Sequence, residues 1–114
     1  MSARLQRRAE IGRRGRRFTI EVALESSDGF GGVLRNWQPG PRVWGAIELL
    51  TTMERVQAGR LDDVVTHRVV LPFRDDVTPE RRLLLGPRRF RVRSADDPDG
   101  RRASLVCLVE EIAA

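Results

Sequence analysis

The chain has 114 residues, of which 40% are hydrophobic, which is enough for one domain with a small core. Its single cysteine excludes an intramolecular disulfide, and the absence of a long apolar run predicts a protein that does not associate with membranes. All 21 basic residues are arginine, and the formal net charge is +5.

The positive charge belongs to an N-terminal arm, residues 1–15. Residues 1–17 contain seven arginines and one acidic residue, whereas the rest of the chain has 14 arginines and 15 acidic residues. The arm lacks periodicity, which predicts a flexible segment ahead of one domain at 16–114. A basic arm can bind DNA phosphates or order on an acidic protein surface, and both interpretations stay open. The arginines concerned are Arg4, Arg7, Arg8, Arg13 and Arg14.

Alternating side chains predict a hairpin at the start of the domain. The residues that share the apolar face of its first strand are Phe18, Ile20, Val22 and Leu24. Residues 26–32 contain three glycines and predict a turn, because glycine adopts positive φ without strain. A second strand is predicted at 33–37.

A third strand is predicted at 42–49. We expect the Pro-containing residues 38–41 to separate it from the second strand, because proline cannot donate a hydrogen bond to a strand ladder. Gly45 within the third strand predicts a bend or a close approach of two backbones, as at a barrel corner.

The next segment, residues 50–63, interrupts the alternation. Hairpin connections usually take two to five residues, so this insert is a candidate working part. Thr51 and Glu54 have capping-box spacing, and Gly59 is a plausible helix stop. The apolar residues that recur at helical spacing are Leu50, Met53 and Val56. They permit about two turns of helix, which need a surface to pack on. The helix either caps its own barrel or packs on a neighbouring subunit, and both remain open.

The second half predicts further strands at 64–71, 88–94 and 103–112, and residues 78–85 are predicted to form a turn that leads into a short strand. On the first of these, the residues that share one face are Val65, His67, Val69 and Leu71. The predicted fold is therefore all-β: a small antiparallel β-barrel of about six strands, with a long insert loop and a basic arm. Closure is favoured at this length because it removes exposed sheet edges.

No catalytic, metal or cofactor motif is found, which predicts a protein that is not an enzyme. Cys107 lies in an apolar run, where a small buried hydrophobe is expected, and His67 is expected to be a structural or interface residue. The chain has few aromatic residues, and most of them fall at expected core positions. The arginine stripe at 88–93 is typical of a solvated strand face. A monomeric β-barrel that binds nucleic acid is the alternative functional class.

The order of the segments resembles that of tailed-bacteriophage head–tail joining proteins, also called head-closure or stopper proteins. The resemblance covers residues 16–112. The matching segments are 17–21, 28–32, Trp37, 43–48, 65–69, the turn 78–82, 86–92, 97–101 and 105–110.

This resemblance implies a structural protein of the virion neck, assembled in the host cytoplasm, or of a related gene-transfer particle. It implies a ring, commonly sixfold, that retains packaged double-stranded DNA and provides a docking surface for the tail. The implied partners are a portal or adaptor protein on the head side, a tail terminator or tail tube protein on the tail side, and DNA contacted without sequence specificity. In similar proteins the loop that matches 50–63 points toward the channel or the adjoining ring. The implied gate or inter-ring residues are Thr51, Met53, Glu54, Arg55, Val56, Gln57 and Arg60.

Overall fold

The computed structural model describes residues 15–58 and 64–112, which form six strands and one short helix. The elements are β1 (Arg16–Ser27), β2 (Val33–Leu49), α1 (Thr52–Ala58), β3 (His67–Pro72), β4 (Arg82–Leu85), β5 (Arg88–Asp96) and β6 (Ser104–Ile112). The strands pair antiparallel in the order β1-β2-β3-β6-β5-β4 and close into a barrel. The predicted all-β barrel is confirmed.

Alternation along each strand fills the barrel interior, because successive side chains of a strand point to opposite faces. The side chains that are essentially inaccessible to solvent are Phe18, Ile20, Val69, Leu71, Leu83, Phe90, Val92, Cys107 and Val109. Burial raises the pKa of the Cys107 thiol to about 12, so this cysteine is an inert core residue, as predicted.

The prediction that residues 38–41 end a strand is wrong, because β2 runs through them without a break for 17 residues. The pairing of β1 with β2 changes register there: Thr19 lies opposite Arg42, and Glu21 lies opposite Pro39. Gly40 and the following proline therefore both face a single residue of β1. This is a β-bulge, which accommodates residues that cannot take part in a regular ladder and also bends the strand.

Two glycines of β2 allow neighbouring backbones to approach closely. A Cβ at Gly40 would lie 2.6 Å from the carbonyl oxygen of Ile20, on β1. A Cβ at Gly45 would lie 2.7 Å from the carbonyl oxygen of Val70 and 2.5 Å from Leu71 Cδ2, both on β3. The close approach predicted at Gly45 is thus confirmed.

The strands β1 and β2 continue beyond the barrel as a two-stranded hairpin. Pairing of β1 with β4 extends only to Glu21, whereas its pairing with β2 continues to Ser27 opposite Val33. The face expected to be apolar and buried is buried at Phe18 and Ile20 but 55% exposed at Leu24, because the strand has left the barrel there. The described residues accordingly span 58 × 31 × 28 Å.

We predict that Gly45→Ala lowers the free energy of unfolding by about 1–3 kcal/mol, because the new methyl group must displace the β3 backbone. Chemical denaturation followed by circular dichroism measures the change. The matched control is Gly86→Asn, which replaces a glycine at φ 59° in open space, where asparagine is tolerated. Equal stability of Gly45→Ala and the wild-type protein would contradict the close packing of β2 on β3.

Candidate functional site

The insert begins with a residue anchored to the barrel. Leu50 is 3% exposed, and its backbone N–H donates to the Thr66 carbonyl oxygen at 3.0 Å. The capping box then starts α1: the Thr51 N–H donates to Glu54 Oε1 at 3.2 Å, and the Glu54 N–H donates to Thr51 Oγ1 at 3.1 Å. The predicted short helix is confirmed, with seven residues.

A polar bridge fastens the first turn of α1 to the barrel. Arg68 of β3 donates through Nη2 to Glu54 Oε2 at 2.7 Å and through Nη1 to Glu48, its cross-strand partner on β2. The pKa of Glu54 is lowered to about 2. The hydrogen bond from Arg68 is the largest cause, and the capping hydrogen bonds with Thr51 lower the pKa further. Glu54 is therefore a carboxylate at neutral pH, and its ion pair with Arg68 holds the first turn of α1 to the barrel.

The apolar side of α1 does not cover its own barrel. Met53 is 72% exposed and Val56 is 74% exposed, although Leu50 at the start of the insert is buried. Arg55, between them, is exposed and has no ion-pair partner among the described residues. Of the two open interpretations of the insert, this exposure favours contact with another subunit.

The other residues singled out by the sequence are placed as follows. Gln57 lies within α1. Arg60 lies outside the described residues, as do the arm arginines Arg4, Arg7, Arg8, Arg13 and Arg14. Their roles stay predictions.

The end of the hairpin carries a second group of exposed apolar side chains, which sequence reasoning missed; Leu24 and Leu34 share one face of the two-stranded ribbon, and Val33 lies on the other. Phe30 is 95% exposed, and the neighbouring apolar side chains Leu24, Val33 and Leu34 are each more than half exposed. Phe30 was not among the residues singled out from the sequence. Its place between Gly29 and Gly31 is a sequence signal for exposure, because a single aromatic residue within a glycine turn has no strand partner to pack against.

One carboxylate organises the hairpin turn. Asp28 Oδ1 accepts hydrogen bonds from the Phe30 N–H at 2.7 Å and the Gly32 N–H at 2.9 Å. These backbone hydrogen bonds lower the pKa of Asp28, so the turn carries a negative charge. Gly29 and Gly31 have φ of 82° and 83°, which directs Phe30 out of the turn.

The base of the hairpin is clamped to β4. Arg82 donates through Nε and Nη2 to Glu21 Oε1 at 3.1 and 3.0 Å, and its guanidinium lies 4.0 Å from the centre of the Trp37 ring. The side chains of Arg82 and Glu21 are only 17% and 11% exposed, so this contact is shielded from solvent. A cleft of about 260 Å³ beside it is lined by further arginines, including Arg81 and Arg91.

The arginine stripe of β5 divides into two paired and two exposed side chains. Arg88 forms a two-point contact with Glu111 at 2.9 and 3.0 Å, and Arg93 donates to Glu110 at 2.7 Å. Arg89 and Arg91 are exposed. Half of the stripe therefore forms cross-strand ion pairs with β6, and the other half is a solvated strand face, as predicted.

His67 lies in the barrel wall, where it is 9% exposed. Its Nδ1 is 2.9 Å from Thr66 Oγ1, and its ring meets the Phe90 ring edge-on at 5.4 Å. Burial is the main cause that lowers the pKa of His67. Residues 15–58 and 64–112 contain no group of three or more potential metal ligands. In the same segments, no helix has the length and apolar character needed to cross a membrane.

Comparison with known proteins gives one family and two informative structures. The family model described as phage head completion protein matches residues 3–112. A Shigella flexneri 2a protein solved in solution has a TM-score of 0.70 and 25% identity, over 86% of this chain and 92% of that one. A chain from the virion of a native gene transfer agent particle has a TM-score of 0.65 and 25% identity, over 87% and 96%. No curated protein matches the chain.

We predict that Glu54→Gln lowers the melting temperature at pH 7, because Arg68 loses one of its two carboxylate partners and keeps only Glu48. The pKa of Glu54 is lowered from 4.5 to about 2, so the stability it contributes is present above pH 4.5 and is lost as the pH falls through about 2. The difference between the variant and the wild-type protein should therefore shrink between pH 4.5 and pH 2 in thermal melts. Glu80→Gln, at an exposed loop position, controls for removal of a carboxylate. A difference that is constant over this pH range would contradict the bridge.

Proposed function

Because the chain belongs to the phage head completion protein family, we propose that it forms a ring in the virion neck, between the portal or adaptor and the tail. The protein is a structural component of the virion, located at the neck between head and tail. Family membership implies a structural rather than an enzymatic role. We propose further that the ring retains packaged DNA and offers the surface on which the tail docks.

The observation that carries this proposal is the state of α1. A helix of seven residues is not stable by itself in water, and the ion pair of Glu54 with Arg68 ties the first turn of this one to the barrel. The exposed apolar side chains of Met53 and Val56 gain stability when another protein surface covers them. An interface with another subunit would provide such a surface. When one surface of each copy contacts a different surface of the next, and the rotation between copies closes, the copies form a ring.

Within the ring, residues 50–63 supply the channel gate or the contact with the adjoining ring. Arg55 is suited to a DNA phosphate or an acidic neighbour, since no described carboxylate pairs with it. The ring is expected to be sixfold, with a portal or adaptor protein on one side and a tail terminator or tail tube protein on the other. Double-stranded DNA passes through its channel without sequence-specific contacts.

The N-terminal arm is proposed to contact either the adaptor ring or DNA in the lumen. Its five arginines before residue 15 outnumber its one acidic residue, which suits both an acidic protein surface and a phosphate backbone. The body is less basic than the arm, because its arginines are balanced by acidic residues, and several of them, including Arg35, Arg88 and Arg93, pair with carboxylates.

We predict that deletion of residues 53–60 leaves the barrel folded but gives particles that leak DNA or lack tails. Among the insert residues whose burial is described, 50–56, Leu50 alone is buried, and it lies outside the deletion, so the deletion removes the contact surface and leaves the described core intact. Electron microscopy of particles is the measurement, and the wild-type protein should give ring density at the neck. Asp75→Ala, at an exposed loop position, is the control. Normal infectious particles from the deletion, or no ring at the neck, would overturn the proposal.

Truncation of residues 1–14 separates the two roles of the arm. If the arm contacts DNA, the truncated protein should bind double-stranded DNA more weakly, and the slope of log affinity against log salt should decrease by about 0.9 for each lost phosphate contact. Fluorescence anisotropy over a salt series measures both quantities. Arg101→Ala removes an exposed arginine from the body as a control. Unchanged DNA affinity excludes the DNA role and leaves adaptor docking. Tight, salt-steep binding by a monomer that forms no ring would instead favour a free nucleic-acid-binding barrel.

A further inference from the structure

The exposed large apolar side chains fall into two groups. The hairpin tip comprises Leu24, Phe30, Val33 and Leu34, and the insert patch comprises Leu49, Met53, Val56 and Val64. Among the described residues, Trp44 is the only other exposed large hydrophobic side chain, and Arg17 lies 5.3 Å from the centre of its ring. Two separate groups of this kind are unusual on a small protein and mark contact surfaces.

The two groups lie at opposite ends of one strand. β2 begins at the hairpin tip with Val33 and ends at the insert patch with Leu49. A strand advances about 3.3 Å per residue, so the path between these residues along β2 is about 50 Å. The hairpin tip and the insert patch of the same copy therefore do not cover each other. They are placed for a contact in which one surface meets a different surface of the next copy.

The charges beside the two groups are complementary. At the hairpin tip, the Asp28 carboxylate lies next to Phe30 and is held there by backbone hydrogen bonds from Phe30 and Gly32. Next to the insert patch, Arg55 directly precedes Val56 in α1, is exposed and has no ion-pair partner within the described segments. A contact between the surfaces would bring a carboxylate to an unpaired guanidinium as the apolar side chains are covered.

The hairpin itself requires a partner. A two-stranded hairpin is marginally stable in water, and beyond Glu21 no third described strand pairs with β1. The Arg82–Glu21 clamp supports the base of the hairpin but does not reach its tip. Cover from a second copy would bury Phe30 and stabilise the extended strands.

We propose that the hairpin tip of one copy packs on the insert patch of the next copy, with Phe30 against Met53 and Val56 and with Asp28 facing Arg55. The proposal rests on the proposed ring and identifies the contact that closes it. It assigns Arg55 to an acidic neighbour rather than to DNA.

Cross-linking in assembled particles tests the contact. The native Cys107 is fully buried and gives a silent background, so the chain carrying both Phe30→Cys and Val56→Cys has two reactive thiols. A short thiol cross-linker should link neighbouring copies into a ladder of dimers and larger species on denaturing gels. Each single variant should give no ladder. The control pair Phe30→Cys with Asp75→Cys, which places the second thiol on a distant exposed loop, should also give none.

Three outcomes would overturn the proposal: the double variant behaves like the single variants, Phe30→Cys alone forms dimers through tip-to-tip contact, or Phe30→Cys links to a different virion protein. The proposed function fails separately. Cross-linked copies without a ring at the neck would overturn the neck assignment, whereas a neck ring without the cross-link would overturn only this contact.

A second variant keeps the test decisive if the cysteine variants do not assemble. Phe30→Ser should leave the melting temperature unchanged, because the side chain is 95% exposed, but should reduce incorporation into particles by about tenfold. Phe30→Leu preserves an apolar tip and should incorporate more fully than the serine variant. Equal incorporation of the serine variant and the wild-type protein would overturn the proposal.

Discussion

The structure depends on the close passage of β2 over β1 at the bulge. At this point Gly40 lies so near the Ile20 carbonyl that a side chain would collide with the backbone, and two residues of β2 face one residue of β1. On one side of the bulge, β1 and β2 are part of the barrel wall, and on the other side they form the free hairpin. A bulge bends and twists its strand, so the same two strands can serve both parts.

The exposed hairpin and the exposed insert are supported in the same way. Each has an arginine–carboxylate contact at its base: Arg82 with Glu21 for the hairpin and Arg68 with Glu54 for α1. The side chains of both arginines are only 17% exposed, so these pairs are partly shielded from solvent. Each element also carries apolar side chains that its own barrel leaves open. An element held at its base loses less conformational freedom on binding, which suits surfaces that must dock on a neighbour.

The barrel gives the protein its stability and positions the two exposed elements. Its interior is a closed set of aliphatic and aromatic side chains that includes the inert thiol of Cys107. His67 is accounted for by its contacts with Thr66 and Phe90. The proposed role of the exposed surfaces in assembly agrees with membership of the phage head completion family.

Local patterns were sufficient for several features of the fold and the insert. Side-chain alternation and fixed spacing depend on near neighbours in the chain. They predicted the inward-facing side chains of Phe18 and Ile20, the close approach at Gly45, and the capping box of Thr51 and Glu54. The partner of Glu54 could not be predicted in this way, because Arg68 meets it only through the pairing of β2 with β3.

By itself, the sequence determined the all-β class, the small antiparallel barrel, the inert cysteine and the existence of a short capped helix. Only the tertiary structure decided that β2 continues through Pro39, that Leu24 and Phe30 lie outside the core, and that the two apolar surfaces are at opposite ends of one strand. The physical reason is that the alternation of apolar and polar residues shows only which side chains share a face of a strand. Whether that face lies inside the barrel or beyond it depends on where the third strand, β4, stops pairing with β1.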